Sequence, residues 1–353
     1  MKVEPKADVD VSVLVPVLNE EAHLLDAAQA MLAQEFEGAI EFLFIDGGSS
    51  DSSPSILSGL ASRDARVRVL DNPFRRTPHA LNIGLRSARG EFVVRMDAHT
   101  VYPARYIAAG VNRLRAGDVE WVSGPQIAVG TSDGARRVAL ALGTALGTGG
   151  AGFRHEMQGE VVVDSGFTGA WRRATLDAHG GWDEEFVNDQ DFELAARIRR
   201  RGGRIVCIPE MTASYIPRET LRALARQYAT YGTYRVKTAR LHPASLRRSQ
   251  LLPPSLVLAL IAAAVSPRPL RRAGAASAAV YVSALTVTML SVARAASPSD
   301  AGAVPVVLAT MHLSYGVGFL IGSARFGPPI AAIVGVLGLD SGAGASSRSG
   351  AAS

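Results

Sequence analysis

The stretch VVRMDAHTVY runs from Val93 to Tyr102 and joins a strand to a polar turn. It begins with two valines, which are typical of a buried strand. Asp97 and His99 follow, separated by one residue. In an open parallel sheet, ligands bind beyond the carboxyl ends of the strands, so these side chains are placed for metal or ligand binding. A polar turn that only closes the strand is the alternative.

A strand-then-helix pattern repeats through the first two-thirds of the chain. The predicted strands are VSVLVPV, IEFLFID, VRVLDNP and EFVVRMD. Each precedes a segment with helical apolar spacing, which predicts an α/β fold with a mostly parallel sheet. Polar clusters follow three of these strands: Asn19 with Glu20, Asp46, and Asp97 with His99. Three clusters at one edge of a sheet predict a shared crevice.

The composition of the chain changes near Leu251. The chain has 353 residues, 48% of them apolar, and a formal net charge of +5. Beyond Leu251 charged residues become sparse, and Ala, Val and Leu dominate. The runs 275–293 and 303–324 are long enough to cross a hydrocarbon core of ~30 Å, whereas 251–265 is short and is predicted to be interfacial or re-entrant. Buried helices of a soluble protein are the alternative.

These features predict a domain organisation and a membrane topology. We expect an N-terminal arm at 1–10, a catalytic domain at 11–235, a membrane-associated helical region at 236–340 and a disordered tail at 341–353. The N-terminus has no apolar segment typical of a secretory signal, so we place the catalytic domain on the cytoplasmic side of the cell (inner) membrane. Arginines on both sides of 251–265 predict that this run dips into the cytoplasmic face and returns. The two long runs then form a multi-pass hairpin, with the loop around Asp300 outside and Arg325 inside.

Cysteine content and charge exclude several classes of function. The single cysteine, Cys207, excludes an internal disulfide and a multi-cysteine zinc site, and its apolar context predicts a buried, inert thiol. The excess of basic residues is not accompanied by a nucleic-acid motif, so we expect no nucleic-acid partner. Arginine is most frequent near the apolar third, which favours anionic membrane lipids as a partner.

The segment DGGSSD, from Asp46 to Asp51, follows the second predicted strand. Two glycines allow the backbone to approach a flat ligand closely. Asp46 can then accept a hydrogen bond from an N–H of a nucleobase. Asp51 can instead cap the next helix.

Asp97 and His99 also suit a divalent cation. A departing diphosphate requires neutralisation of its charge, which a metal ion supplies. Because one of the two donors is an imidazole nitrogen, the pair favours Mn²⁺ over Mg²⁺, with Mg²⁺ still open.

A third candidate is Asp191, in NDQDFELAARIRRRGGRI (188–205). It lies in the first turn of a predicted amphipathic helix. The helix dipole keeps a carboxylate ionised there, as a general base must be, although the dipole alone also explains acidic residues at this position.

Five segments together resemble a known family. They are SVLVPVLNEE, FIDGGSSDSS, ALNIGLRSARGEFVVRMDAH, SGFTGAWRRATLDAHGGWDE and NDQDFELAARIRRRGG. In this order, over residues 11–235, they resemble the inverting family 2 glycosyltransferases, which have the GT-A nucleotide-sugar fold. The segments RMDAHTVY, QDFEL and RQYATYGTYRVKTARLHP are similar to the succinoglycan-type exopolysaccharide membrane glycosyltransferases.

The resemblance implies a role for each matching position. Asp191 would be the catalytic base, and Asp97 with His99 would hold the metal and the diphosphate. The remaining nucleotide-sugar positions would be Pro16, Asn19, Glu20 and Asp46. The acceptor side would contain Gly169, Trp171, Arg172 and Gln227.

Two departures from the family pattern bear on the reaction. The usual Glu-Asp pair is Gln190-Asp191 here, so the base is present and its acidic neighbour is neutral. The Gln-x-x-Arg-Trp motif of processive enzymes is replaced by the segment from Gln227 to Tyr231. We therefore expect the addition of a single sugar rather than polymer synthesis.

The sequence thus predicts a membrane-anchored, inverting glycosyltransferase that uses Mn²⁺ or Mg²⁺. Its donor would be a nucleotide sugar, in particular a UDP-sugar, and its acceptor a lipid-linked saccharide in cell-surface polysaccharide synthesis. A polyprenyl-phosphate glycosyl synthase and a non-catalytic nucleotide-sugar-binding membrane protein are the alternatives. A nucleotidyltransferase would need a glycine-rich basic segment after the first strand, where PVLNEEAHL is acidic.

Overall fold

The computed structural model describes residues 9–149 and 157–338. The predicted disordered tail at 341–353 and most of the predicted N-terminal arm lie outside this part of the chain. The chain forms two compact units. The first contains the residues up to Leu224 together with Ala284–Ala309, and the second contains Ala225–Ser283 and the residues from Thr310 onward.

The first unit is built on an eight-stranded sheet. Its strand order is β3-β2-β1-β4-β9-β6-β10-β8, and a second sheet has the order β5-β11-β7. The strands are β1 Val11–Val17, β2 Ile40–Asp46, β3 Val67–Asp71, β4 Phe92–Arg95, β5 Thr100–Val101, β6 Trp121–Ser123, β7 Gln126–Ala128, β8 Val161–Val162, β9 Gly169–Arg172, β10 Ile205–Cys207 and β11 Ala213–Tyr215. Strands β1 to β4 are mutually parallel where they pair, and β9 runs antiparallel to β4 and β6. The predicted mostly parallel α/β sheet is therefore confirmed.

Helices cover this sheet and continue into the apolar third. They are α1 Leu24–Leu32, α2 Ser53–Arg63, α3 Thr77–Ser87, α4 Tyr106–Arg115, α5 Asp133–Leu142, α6 Ala145–Thr148, α7 Arg173–Ala178, α8 Gln190–Arg200, α9 Leu221–Leu241, α10 Leu252–Val265, α11 Arg268–Val292, α12 Pro298–Phe326 and α13 Ile330–Leu337. Because helices pack on both faces of the sheet, β1 and β2 are almost continuously apolar and buried.

Apolar clusters lie on the two faces of the sheet. Val13, Phe42 and Phe44 belong to one cluster. The other contains three tryptophans, with ring centroids 4.8 Å apart for Trp121 and Trp171 and 5.6 Å apart for Trp171 and Trp182. Cys207 lies in this second cluster, where burial raises the pKa of its thiol to about 12. The prediction of a buried cysteine is confirmed, and the raised pKa favours an unreactive thiol.

Three helical segments are long and apolar enough to cross a membrane. They are Arg248–Val265, Arg268–Val292 and Pro298–Phe326. The predicted runs 275–293 and 303–324 fall almost entirely within α11 and α12. The chain therefore has the apolar helices of a membrane-associated protein.

Candidate active site

The loops after β1 and β2 are joined by hydrogen bonds. The Asn19 side chain accepts from the backbone N–H of Ser50 at 2.8 Å, and the Asn19 backbone N–H donates to Oγ of Ser49 at 2.9 Å. Asn19 has a φ of 55°, in the left-handed region that asparagine tolerates better than most residues. This conformation holds the end of β1 against the loop that follows β2.

Asp46, the predicted nucleobase contact, ends β2 and faces its own turn. Its carboxylate accepts from the hydroxyl of Ser49 at 2.6 Å and from the backbone N–H of the same residue at 3.2 and 3.3 Å. The next residue, Gly47, lines a pocket at the ends of the strands. Asp46 therefore shapes the wall of this pocket through the turn that it caps.

A buried arginine that the sequence reasoning missed links two of the predicted site residues. Arg95 is 3% exposed, and its Nε and Nη2 donate to the two oxygens of Asp97 at 2.9 and 3.3 Å. Its Nη1 donates to Oδ1 of Asp191 at 2.7 Å. The end of β4 and the first turn of α8 are thus joined by a carboxylate–guanidinium–carboxylate chain.

Burial and the neighbouring charges set the protonation of this chain. Burial raises the pKa of Asp191 to about 6, although the charge of Arg95 lowers it. Burial also disfavours the charged form of Arg95, but the carboxylates of Asp191 and Asp97 outweigh burial and raise its pKa. Asp191 is therefore a carboxylate that accepts protons readily near neutral pH, which is the property of a general base.

His99 lies close to Glu20 rather than alone in its turn. Its Nδ1 is 3.0 Å from Oε1 of Glu20, and this hydrogen bond raises the pKa of the imidazole. A carboxylate on one ring nitrogen fixes the tautomer and leaves the other nitrogen for a ligand, as in many metal-binding histidines. Within residues 9–149 and 157–338, no group of three or more His, Cys, Asp or Glu side chains forms a metal site by itself.

Four of the predicted site residues, Pro16, Glu20, Asp97 and His99, line one pocket together with Arg95. Its wall contains Pro16, Val17, Leu18, Glu20, Gly47, Asn72, Arg75, Arg76, Thr77, Ala80, Arg95, Asp97 and His99. Three guanidinium groups therefore accompany two carboxylates, a charge balance that suits an anionic ligand.

Arg75 and Arg76 are pocket residues that the sequence reasoning missed. Arg75 has a φ of 55°, and its Nη1 donates to the carbonyl oxygen of Gly48 at 2.7 Å. A positive φ is uncommon for a residue with a long side chain and marks a constrained loop. The adjacent basic pair in FRRTP was the sequence signal that could have indicated this wall.

Three of the predicted acceptor residues, Gly169, Trp171 and Arg172, lie on β9 of the first unit, in different surroundings. Gly169 pairs with Arg95 in the sheet and has a φ of 149°. Trp171 is fully buried in the core, and Arg172 donates to Glu91 at 2.8 Å at the far end of β9. Gln227 belongs to the second unit, where its amide donates to the hydroxyl of Tyr231 at 2.9 Å.

The chain has similarity to several characterised proteins. A family model described as "Glycosyl transferase family 2" matches residues 12–180. The succinoglycan biosynthesis protein ExoA of Rhizobium meliloti is 31% identical over 243 residues, which cover 68% of this chain and 73% of that protein. An undecaprenyl-phosphate 4-deoxy-4-formamido-L-arabinose transferase of Pseudomonas aeruginosa is 35% identical over 111 residues, or 30% and 33% of the two chains.

A solved structure with a similar fold covers most of the chain. It is a mannosyltransferase of Pyrobaculum calidifontis, determined in complex with GDP-Man and Mn²⁺. The TM-score is 0.50 at 21% sequence identity, over 95% of this chain and 89% of that chain. At this level of identity the likeness concerns the fold.

Proposed function

The chain belongs to glycosyl transferase family 2, and from this premise we propose that it is an inverting enzyme that transfers one sugar from a UDP-sugar to a lipid-linked saccharide. It is a glycosyltransferase with the GT-A fold and with apolar helices suited to a membrane. The donor, the acceptor and the stereochemical course belong to the proposal. Cell-surface polysaccharide synthesis is the process that the succinoglycan relative suggests.

One observation carries this proposal: Arg95 bridges Asp97 and Asp191. The guanidinium lies within 2.7 Å of Asp191 and 2.9 Å of Asp97. The residue predicted to hold the donor diphosphate and the residue predicted to be the base therefore lie on opposite sides of one buried side chain. This arrangement supports a donor sugar and an acceptor hydroxyl that bind next to each other at these two carboxylates.

Asp97 and His99 are suited to bind a divalent cation whose other ligands come from the substrate. Asp97 would supply carboxylate oxygen, and His99 would supply one imidazole nitrogen, because Glu20 already contacts Nδ1. When bound, Mn²⁺ or Mg²⁺ would neutralise charge on the departing diphosphate. The imidazole donor favours Mn²⁺.

The basic wall of the pocket would bind the donor. Arg75 and Arg76 follow β3 and face the pocket that Gly47 and Pro16 also line. Guanidinium groups bind phosphate oxygens through paired hydrogen bonds, so these arginines would orient the diphosphate. Asn19, Glu20 and Asp46 would act by holding the two loops that shape the nucleotide side of the pocket.

Asp191 would act on the acceptor. Its carboxylate takes the proton of the acceptor hydroxyl as the oxygen attacks the anomeric carbon. The bond from this carbon to the diphosphate breaks, and the nucleoside diphosphate leaves with the bonding electron pair. A single in-line displacement inverts the anomeric configuration.

The membrane would supply the acceptor. The apolar helices hold the enzyme near lipid-linked substrates at the cytoplasmic face of the inner membrane, which raises the effective acceptor concentration. A polyprenyl phosphate is a second candidate acceptor, because the Pseudomonas relative is an undecaprenyl-phosphate transferase.

The test uses membranes that contain the full chain and a panel of radiolabelled nucleotide sugars. Lipid-linked saccharide and polyprenyl phosphate are offered as separate acceptors. We expect transfer from a UDP-sugar that EDTA abolishes and Mn²⁺ restores, and an Asp191→Asn rate that is lower by about 10²–10⁴-fold. Asp177→Asn, an exposed carboxylate on α7, is the matched control. Full transfer by Asp191→Asn would refute the base assignment, and an unchanged rate in EDTA would refute the metal.

A further inference from the structure

We propose that α10, α11 and α12 insert into one leaflet of the membrane and do not cross it. Both ends of α11 would then lie on the side of the catalytic domain. This inference concerns membrane insertion and is independent of the donor, the acceptor and the base proposed above. It replaces the multi-pass hairpin expected from the sequence.

The first observation is that the connection between α11 and α12 is docked on the catalytic domain. Asp300, in the first turn of α12, accepts from Nε of Arg136 at 2.9 Å and from Nε of Arg137 at 3.1 Å. The Asp300 side chain is only 7% exposed. Because both arginines belong to α5 of the first unit, the expectation that Asp300 lies on the face opposite the catalytic domain is wrong.

Burial of the first turns of α12 supports this docking. Ala301, Val304 and Leu308 are 3%, 0% and 0% exposed, and they recur at helical spacing along one face. An isolated ion pair on the surface contributes little to stability. Here the carboxylate of Asp300 is buried between two arginines, and the apolar face of α12 beside it is buried as well. The connection is therefore fixed on the catalytic side.

The second observation concerns α10. If α11 crossed the membrane from a connection on the catalytic side, its other end would lie on the opposite side. The chain could reach that opposite side only if α10 crossed as well. A crossing α10 would begin at the same membrane surface as Pro298, the start of α12. Instead, a Cβ placed on Gly316 would lie 2.5 Å from the carbonyl oxygen of Pro253, the second residue of α10. If α12 crossed the membrane, Gly316 would lie about 27 Å along the helix from Pro298 at 1.5 Å per residue, near the opposite surface. The start of α10 would lie there with it, which is incompatible with a crossing α10 that begins at the surface of Pro298.

The third observation is the close packing of a charged helix on the second half of α12. A Cβ on Gly318 would clash with the carbonyl oxygen of Ala229 in α9, and Oγ1 of Thr233 donates to the carbonyl oxygen of Gly318 at 3.0 Å. Along this contact α9 carries several basic residues, Arg226, Arg235, Lys237 and Arg240. Charges at the centre of a bilayer are costly, so a helix with this many belongs at the membrane surface, and the part of α12 that it contacts lies there too.

The remaining surface of α10 and α11 is apolar and suits contact with lipid tails. Leu258, Ile261 and Val265 form one face of α10, and each is more than half exposed. Val280, Val287 and Leu290 of α11 are also more than half exposed. Exposed arginines flank the turn between these helices at positions 268, 271 and 272, where anionic headgroups would meet them. The positive-inside rule places this turn on the cytoplasmic side, which the docked connection also favours.

Cysteine labelling in sealed vesicles of both orientations tests the proposal. The full chain is used, and the wild type is the unlabelled control because its only cysteine is buried. Reporters are Ser62→Cys on the catalytic domain, Ala295→Cys in the connection and Ser266→Cys in the turn before α11. We expect a membrane-impermeant maleimide to label all three in the same vesicle orientation. Labelling of Ala295→Cys or Ser266→Cys from the face opposite Ser62→Cys, or only after detergent, would overturn the proposal.

A second measurement needs no substitution. Trypsin added to sealed vesicles should cleave after Arg294 and within 268–272 from the same face that exposes the catalytic domain, as read by mass spectrometry of the peptides. Cleavage of either segment from the opposite face would overturn the proposal, whether or not the cysteine variants fold.

Discussion

Arg95 connects the proposed base to the proposed donor site, and its charge opposes the effect of burial on Asp191. Arg95→Met should raise the pKa of Asp191 from about 6 by about 1–3 units, because a cation in direct contact is lost. The base acts only when deprotonated, so the acid limb of kcat/KM against pH should move to higher pH.

Arg95→Lys is the matched variant for this prediction. It keeps the positive charge and loses the paired geometry, so its acid limb should move less than that of Arg95→Met. An acid limb that is identical in Arg95→Met and the wild type would show that Arg95 does not control the base.

The raised pKa of Asp191 also predicts a cost in stability. A carboxyl group whose pKa is higher in the folded protein than in the unfolded chain binds protons more tightly when folded. Its contribution to the free energy of unfolding therefore falls as pH rises from about 4 to about 6. Relative to the wild type, Asp191→Asn should therefore gain stability as pH rises from about 4 to above 6, by at most about 3 kcal/mol. Thermal unfolding at pH 4.5 and pH 8 should show the stability difference moving in favour of the variant, and a difference that is the same at both pH values would contradict it.

The imidazole of His99 should set the choice of metal. His99→Asp gives the site two carboxylates, which Mg²⁺ prefers as ligands. The ratio of the transfer rate in Mg²⁺ to that in Mn²⁺ should therefore increase. His99→Ala is the control, and it should lose activity with both ions. An unchanged ratio in His99→Asp would place the metal elsewhere.

At the scale of residues, the sequence indicates which side chains follow strands but not which ones meet. Asp97 and His99 could be singled out because they follow a buried strand. Arg95 could not, since its partner Asp191 is 96 positions further along the chain and a lone arginine in VVRMD gives no sign of it. Trp171 was expected beside the acceptor, and its burial in the tryptophan cluster depends on a strand pairing that no local pattern encodes.

At the scale of elements, length and periodicity decided which strands could be predicted. Strands β1 and β2 have seven residues each and were predicted with their observed bounds. Strands β6 and β10 have three residues each, too few for a periodic pattern, yet they complete the sheet beyond β9. Strand β6 is placed by antiparallel pairing with β9, and β10 by parallel pairing with β6, which are contacts between distant segments.

The packing of α9 on α12 gives a prediction at this scale. Gly318→Ala should lower the free energy of unfolding by roughly 1–3 kcal/mol, because the added methyl group clashes with the backbone of Ala229. Gly302→Ala is the matched control in the same helix. Apart from the local backbone of the helix, no atom of the described residues lies within 4 Å of a Cβ there, so alanine should stabilise the protein by up to about 1 kcal/mol. Thermal unfolding of the detergent-solubilised full chain measures both, and equal effects of the two substitutions would argue against close helix packing at Gly318.

At the scale of the whole molecule, the catalytic unit includes a piece of the apolar third. The sheet and the segment Ala284–Ala309 belong to one compact unit, although 48 residues of the predicted membrane region, 236–283, separate that segment from position 235. Sequence reasoning divided the chain where the composition changes. It could not show that the chain returns to the catalytic domain, because Asp300 is a single carboxylate far from the arginines that bind it.

A truncated chain tests whether the stability of the catalytic unit depends on α11 and α12. Ending the chain at residue 241 removes Asp300 and leaves Arg136 and Arg137 without that partner, and it also removes the buried face of α12. We expect a fragment with a melting temperature several degrees below that of the full chain, since each kcal/mol lost lowers the melting temperature by about 2–4 °C in a domain of this size.

Ending the chain after Gly338 is the control, because it keeps every described contact. Asp300→Ala in the full chain should lower the melting temperature in the same direction but by less. A fragment as stable as the full chain would show that the catalytic domain is complete without α11 and α12.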